Sequence, residues 1–180
     1  SSLTKYVSEY NGRKDSRGVI NILNASFSFY MVIGVIIALL SFICALYFDK
    51  LFKIEPANIL IFRQLFIAAG IFALASWPLS TFRGAIQGMN LWNIDSSVNV
   101  FTQILNALVT LAVFSLGYGI VQFFIATKIL NILGSVIFYY AGRRRFKFNI
   151  QFHYWTVETY KIIFNFSLFK VALFSIIISG

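Results

Sequence analysis

From Ala25 to Phe48 the chain carries no charge, and from Ser96 to Thr127 it again carries none. As a helix the first run reaches about 36 Å at about 1.5 Å per residue, enough to cross about 30 Å of hydrocarbon with some tilt. Hydrophobic residues make up 59% of the chain and charged ones only 12%, where a soluble domain has about a quarter charged. A water-soluble fold of this size would be left with large bare apolar surfaces. A bilayer removes that difficulty, and a helix satisfies its own backbone there. The fold class expected is all-α, a polytopic transmembrane helical bundle.

Five spans account for the apolar runs. The first is about 25–48. The second is about 61–82, with Arg63 near its outer edge, where the side chain can snorkel. Trp77-Pro78 lies near its inner end, where a proline bends a membrane helix. The run from Ser96 is too long for one span and continues past Lys128 to Gly142. The stretch "SLGYG", Ser115 to Gly119, divides it into spans of about 98–116 and 120–140. Gly-Tyr-Gly also ends the potassium-channel filter, but that filter needs four Thr-Val-Gly-Tyr-Gly loops converging on one axis. Here Ser115-Leu116 precede the triplet and a full-length helix stands on either side. The triplet therefore reads as a turn, its glycines supplying positive φ and Tyr118 suiting the membrane interface. A fifth span covers about 162–180.

Charge fixes the orientation. Segments 1–24, 83–97 and 143–161 share one side of a five-span chain. They hold Lys5, Arg13, Lys14, Arg17, Arg83, Arg143, Arg144, Arg145, Lys147 and Lys161. The other side has Lys50, Lys53 and Arg63, while Lys128 and Lys170 fall within spans. The positive-inside rule makes the first side cytoplasmic. It also accounts for the net charge of +9 without nucleic-acid binding. Cys44 lies inside an apolar run as an inert thiol, and no disulfide framework can be read. His153 is the only histidine and has no cluster of ligands around it, so neither metal, cofactor nor catalytic centre is expected. The start lacks a signal-peptide pattern. Both ends read as cut from a longer transporter.

The polar residues inside the spans carry the functional reading. A charge in mid-span costs at least about 2.5–3.5 kcal/mol on insertion scales and normally faces a polar interior. Around Lys128, Gln122, Thr127 and Asn131 mark one side of the fourth span. Gln103, Asn106 and Thr110 form a stripe at i, i+3 and i+7 on the third. Lys170 has Ser167 at i−3. These stripes either line a wet cavity or join helices by hydrogen bonds. No Asp or Glu lies within the five spans, so no carboxylate relay can be assembled. Unpaired cations suit an anionic substrate such as a diphosphate. In "STFRGAIQGMNLWNIDSSVNV", Arg83 heads a Gly84/Gly88 pair, either as a topogenic arginine in a turn or at the inner mouth facing substrate. After "GRRRFKF", alternating Phe146, Phe148, Ile150, Phe152 and Tyr154 suggest an extended interfacial strip.

The order of these features is distinctive: "KYVSEYNGRKDSRG", a span, "ALASWPLST", "FRGAIQGMNLWN", a helix, "LGYGIVQ", another helix, "GRRRFKF" and "IFNFSLFKVAL". It resembles the polysaccharide transporters of the multidrug/oligosaccharidyl-lipid/polysaccharide exporter superfamily, O-antigen flippases included, over their third to seventh helices. The resemblance implies two six-helix bundles around a central cavity in the bacterial inner membrane, exporting undecaprenyl-diphosphate-linked oligosaccharide by alternating access. Residues 1–142 would belong to the N-terminal bundle, 143–160 would be the cytoplasmic linker, and 161–180 would begin the second bundle, truncated. Arg83, Lys128, Lys161 and Lys170 would be cavity or mouth cations, with Gln103, Asn106 and Asn131 as polar lining. The partners implied are the lipid-linked oligosaccharide, the bilayer and other membrane proteins of polysaccharide assembly. The alternatives are a multidrug exporter of the same superfamily, an integral-membrane transferase of lipid-linked sugars, and a structural membrane subunit.

Overall fold

The computed structural model describes residues 2–51 and 56–146. These residues form six helices: α1 Ser2–Gly12, α2 Ser16–Leu46, α3 Phe48–Leu51, α4 Pro56–Gly88, α5 Trp92–Ser115 and α6 Ile120–Phe146. Of these, α2, α4, α5 and α6 are long and apolar enough to cross a membrane. The all-α polytopic bundle is thus present, with four spans among the described residues. The fifth span at 162–180 and most of the linker 143–160 lie outside them. The chain is a multi-pass helical membrane protein.

Three tight turns connect the helices at Lys14, Asn90 and Gly117, whose φ angles are 57°, 58° and 75°. Each turn closes with the same pair of bonds. Asp15 N donates to Tyr10 O and Lys14 N to Asn11 O; Leu91 N donates to Ile86 O and Asn90 N to Gln87 O; Tyr118 N donates to Val113 O and Gly117 N to Phe114 O. This is the Schellman cap, which satisfies orphan carbonyls at a helix C-terminus and needs one left-handed residue. In the Gly-Tyr-Gly turn only Gly117 adopts positive φ; the expectation that both glycines supply it holds for one.

Two segments expected as loops are mostly helical. In 1–24, Leu3, Val7 and Tyr10 recur at i, i+4 and i+7, and Leu3 and Val7 are buried. Asp15 then caps α2, its Oδ1 accepting from Gly18 N at 2.9 Å, so α2 begins well before Ala25. In 83–97, α4 continues past Pro78 to Gly88, and α5 starts after a three-residue turn.

The antiparallel pair α2–α4 packs on small residues. A Cβ on Gly34 would stand 3.0 Å from Ala73 O, and one on Gly70 would stand 3.2 Å from Ala38 O. Such contact lets two backbones approach closely, the usual source of helix association where lipid is as apolar as leucine. At the far end of α2, Arg63 Nε donates to Ala45 O at 3.0 Å, and its Nη2 lies 3.8 Å from Asp49. Rather than only snorkelling, Arg63 holds the last turn of α2. On its other side α4 packs against α6, which in turn packs against α5. The buried core gathers at the end carrying Arg13, Lys14, Arg17 and Arg143. There Leu3 and Val7 of α1, Val19 to Phe27 of α2, Phe82 to Ile86 of α4, Met89 of the turn after it and Phe138 of α6 meet. Away from that end, α5 and α6 leave most of their surface bare.

Candidate functional site

The contact between α5 and α6 is set by Gly134, which sits against Thr102 and Val98; an added Cβ would be 3.1 Å from Thr102 Oγ1. At about 100° per residue, one set of polar residues on each helix falls to the same rotational side of that line. On α5 they are Asp95, Asn99, Gln103, Asn106 and Thr110, a track about 22 Å long at about 1.5 Å per residue. On α6 they are Lys128, Asn131 and Ser135. Because the two helices run antiparallel, these sides form a single flank of the hairpin. Helix α4 lies on the same flank near the basic end, where Phe82 meets the Tyr139 ring edge-on at 4.8 Å.

Gln103 and Asn131 are exposed, and Asn106, Thr110 and Lys128 are half-buried. The hydroxyls along the flank are spent on their own helices. Thr110 donates to Asn106 O at 2.6 Å, Ser135 to Asn131 O at 3.0 Å, and Thr127 to Phe123 O and Phe124 O at 3.0 and 2.9 Å. Such back-bonding leaves little for a ligand. The amides and the lysine remain. Asn106 Oδ1 is buried with no hydrogen-bond partner among the described residues. Lys128 Nζ lies 5.2 Å from the centre of the Phe124 ring, a cation–π contact directed toward the α5–α6 turn.

At the basic end an ion pair closes the track. Arg83 Nε donates to Asp95 Oδ1 at 2.9 Å, and Gln87 Nε2 donates to Oδ2 at 3.1 Å. Both carboxylate oxygens are held, and Asp95 is only 6% exposed. Arg83, expected among the mouth cations, is thus a paired one, and its partner sits in the first turn of α5, ahead of the apolar stretch 98–116. The pairing runs through Nε, which leaves Nη1 and Nη2 without a partner among the described residues, and the Arg83 side chain is 47% exposed. It borders a recess of about 300 Å³ lined by Leu3, Tyr30, Ser80, Arg83, Gly84 and Gln87. A smaller hollow of about 240 Å³ at Ser76, Trp77 and Ser80 adjoins it. Ser76, Ser80, Arg83 and Gln87 follow at i, i+4, i+7 and i+11, a second polar stripe on one face of α4.

The expected residues therefore divide. Gln103, Asn106, Asn131 and Lys128 share one flank, and Arg83 stands at its basic end. Gln122 is nine residues before Asn131, half a turn out of phase, and falls on the opposite flank. Lys161 and Lys170 lie outside the described residues. Gln87 and Asp95 had not been joined to Arg83. The available signal was their spacing: with a short turn after Gly88, residues at positions 83, 87 and 95 come together.

No protein-family model matches the chain, and neither a curated protein nor a solved structure matches it.

Proposed function

We propose that the chain is part of a membrane flippase that exports lipid-linked oligosaccharide, with the diphosphate drawn to cations and the sugars carried along the polar flank. The carrying observation is the flank itself: Asp95, Asn99, Gln103, Asn106 and Thr110 on α5 face the same side as Lys128 and Asn131 on α6. A continuous amide-lined path within apolar helices is costly unless something polar uses it. Arg83 would receive the diphosphate through Nη1 and Nη2 while Nε stays on Asp95, a geometry that suits the planar guanidinium. The acyl chain would remain between helices in lipid, and no covalent chemistry is required. The order of sequence features, which resembles that of polysaccharide transporters, is in keeping with the same reading. The basic end would face the cytoplasm of a bacterial inner membrane.

The test is complementation of surface-glycan display with the gene in its full-length context. Charge-assisted hydrogen bonds contribute about 1.5–3 kcal/mol each, so Lys128→Gln with Lys170→Gln should lower display by about tenfold or more with the protein still in the membrane. Normal display in that double variant would defeat the reading of these lysines as cavity cations.

A further inference from the structure

Helix α1 folds back against the first turns of α2, and the elbow between them encloses a recess of about 440 Å³ lined by Tyr6, Tyr10, Asp15, Arg17, Gly18, Asn21 and Ile22. That volume is in the range of small-ligand sites, about 300–1,000 Å³. Gly18 makes the elbow possible, since an added Cβ would lie 2.6 Å from the Tyr10 ring and from Asp15 Oδ2. Arg17 is the last charge before a run that carries none until Asp49, so the recess lies where that run begins. That is the depth at which a bilayer gives way to headgroups and where tyrosines concentrate.

The charges in the recess are one of each sign. Asp15 spends Oδ1 on the Gly18 N–H. Among the described residues, ion pairs join Arg13 to Glu9, Arg63 to Asp49 and Arg83 to Asp95, and none joins Arg17 to Asp15. A cation and an anion that line one hollow without meeting match a ligand that is itself a zwitterion. We propose that this elbow binds the headgroup of an aminophospholipid. Arg17 and the Asn21 amide hold the phosphodiester, and Asp15 accepts from the primary ammonium. The two tyrosine rings flank the ethanolamine arm. A phosphatidylglycerol headgroup lacks the ammonium and would set its charge against Asp15. A choline headgroup has no N–H to donate.

This site is separate from the Arg83 track, and its test does not depend on transport. The protein would be purified in detergent from a membrane containing phosphatidylethanolamine and phosphatidylglycerol in equal amounts, and retained lipid counted by native mass spectrometry. Phosphatidylethanolamine should be retained about fivefold over phosphatidylglycerol, the ratio expected for one partly exposed ion pair. Asp15→Asn keeps a good helix cap and removes the charge, so preference should fall to within about twofold of equal. Arg17→Gln should reduce retention of both lipids, and Arg17→Lys should restore part of it. Circular dichroism of each variant should match the parent. Equal retention in the parent protein, a preference for phosphatidylglycerol, or an unchanged preference in Asp15→Asn would overturn the proposal. So would binding of water-soluble glycerophosphoethanolamine to delipidated protein as tightly as the lipid, because the occupant would then be a free metabolite.

Discussion

Asp95 is the residue on which most of the site geometry turns. It is buried, both its oxygens are engaged, and its partners come from a different helix. Arg83→Gln leaves that carboxylate without its cation. A buried group stripped of its partner costs about 1–3 kcal/mol, lessened here by the exposure of Arg83. Its thermal unfolding in detergent should therefore drop by several degrees, whereas Arg13→Gln, which breaks a solvent-exposed pair with Glu9, should shift it little. The exchange variant Arg83→Asp with Asp95→Arg should recover part of the loss in a double-mutant cycle. Equal effects of Arg83→Gln and Arg13→Gln would show that the pair contributes nothing special. The two glycines beside Tyr118 separate in the same way. Gly117→Ala forces a side chain into left-handed backbone and should cost about 1–2 kcal/mol. Gly119→Ala meets only Gln122 Oε1 at 3.4 Å and should be close to neutral in the same melting assay. Sequence marked the Gly-Tyr-Gly turn because two apolar runs needed dividing there. It did not mark Asp95, because a carboxylate twelve residues from an arginine is informative only once the intervening turn is known to be short.

Among the helices, α1 and the Schellman turns at Lys14 and Asn90 were the least legible. Charges and Gly12 made 1–24 resemble a loop, yet Leu3, Val7 and Tyr10 keep helical spacing and find cover on α2 and α4. Lys14 and Asn90 occupy positions where glycine is usual, which hid two turns that the third, at Gly117, displays openly. The spans themselves were plain, since a charge-free run of bilayer length fits little besides a membrane helix. Even so, each of the four long helices runs past its apolar stretch at one end or both. Lys14→Gly removes the left-handed cost and should raise stability by up to about 1 kcal/mol, read as a higher melting midpoint. Gly88→Ala should do the opposite. Its Cβ would lie 2.7 Å from Val7 Cβ and 2.8 Å from Thr4 O, so α1 must move off α4. Hydrogen exchange in α1 should then rise while that of α2 beyond Gly34 stays as in the parent. Unchanged exchange in α1 would mean that α1 is not held by this contact.

At the scale of the molecule, the buried core gathers at the basic end while α5 and α6 are largely bare, so under the proposed function the path would run from the Arg83 recess past Asn99, Gln103 and Asn106. The opposite flank of α5 presents Leu108, which is 56% exposed and about half a turn away from the polar line. The most direct measurement places a photo-reactive phenylalanine at Gln103 or at Leu108 of the protein in cells making lipid-linked oligosaccharide, then probes the irradiated protein for attached glycan. A path along the polar flank requires a glycan cross-link at Gln103, its loss on Arg83→Gln, and none at Leu108. Cross-linking at Leu108 equal to that at Gln103, or a Gln103 cross-link indifferent to Arg83, would contradict it.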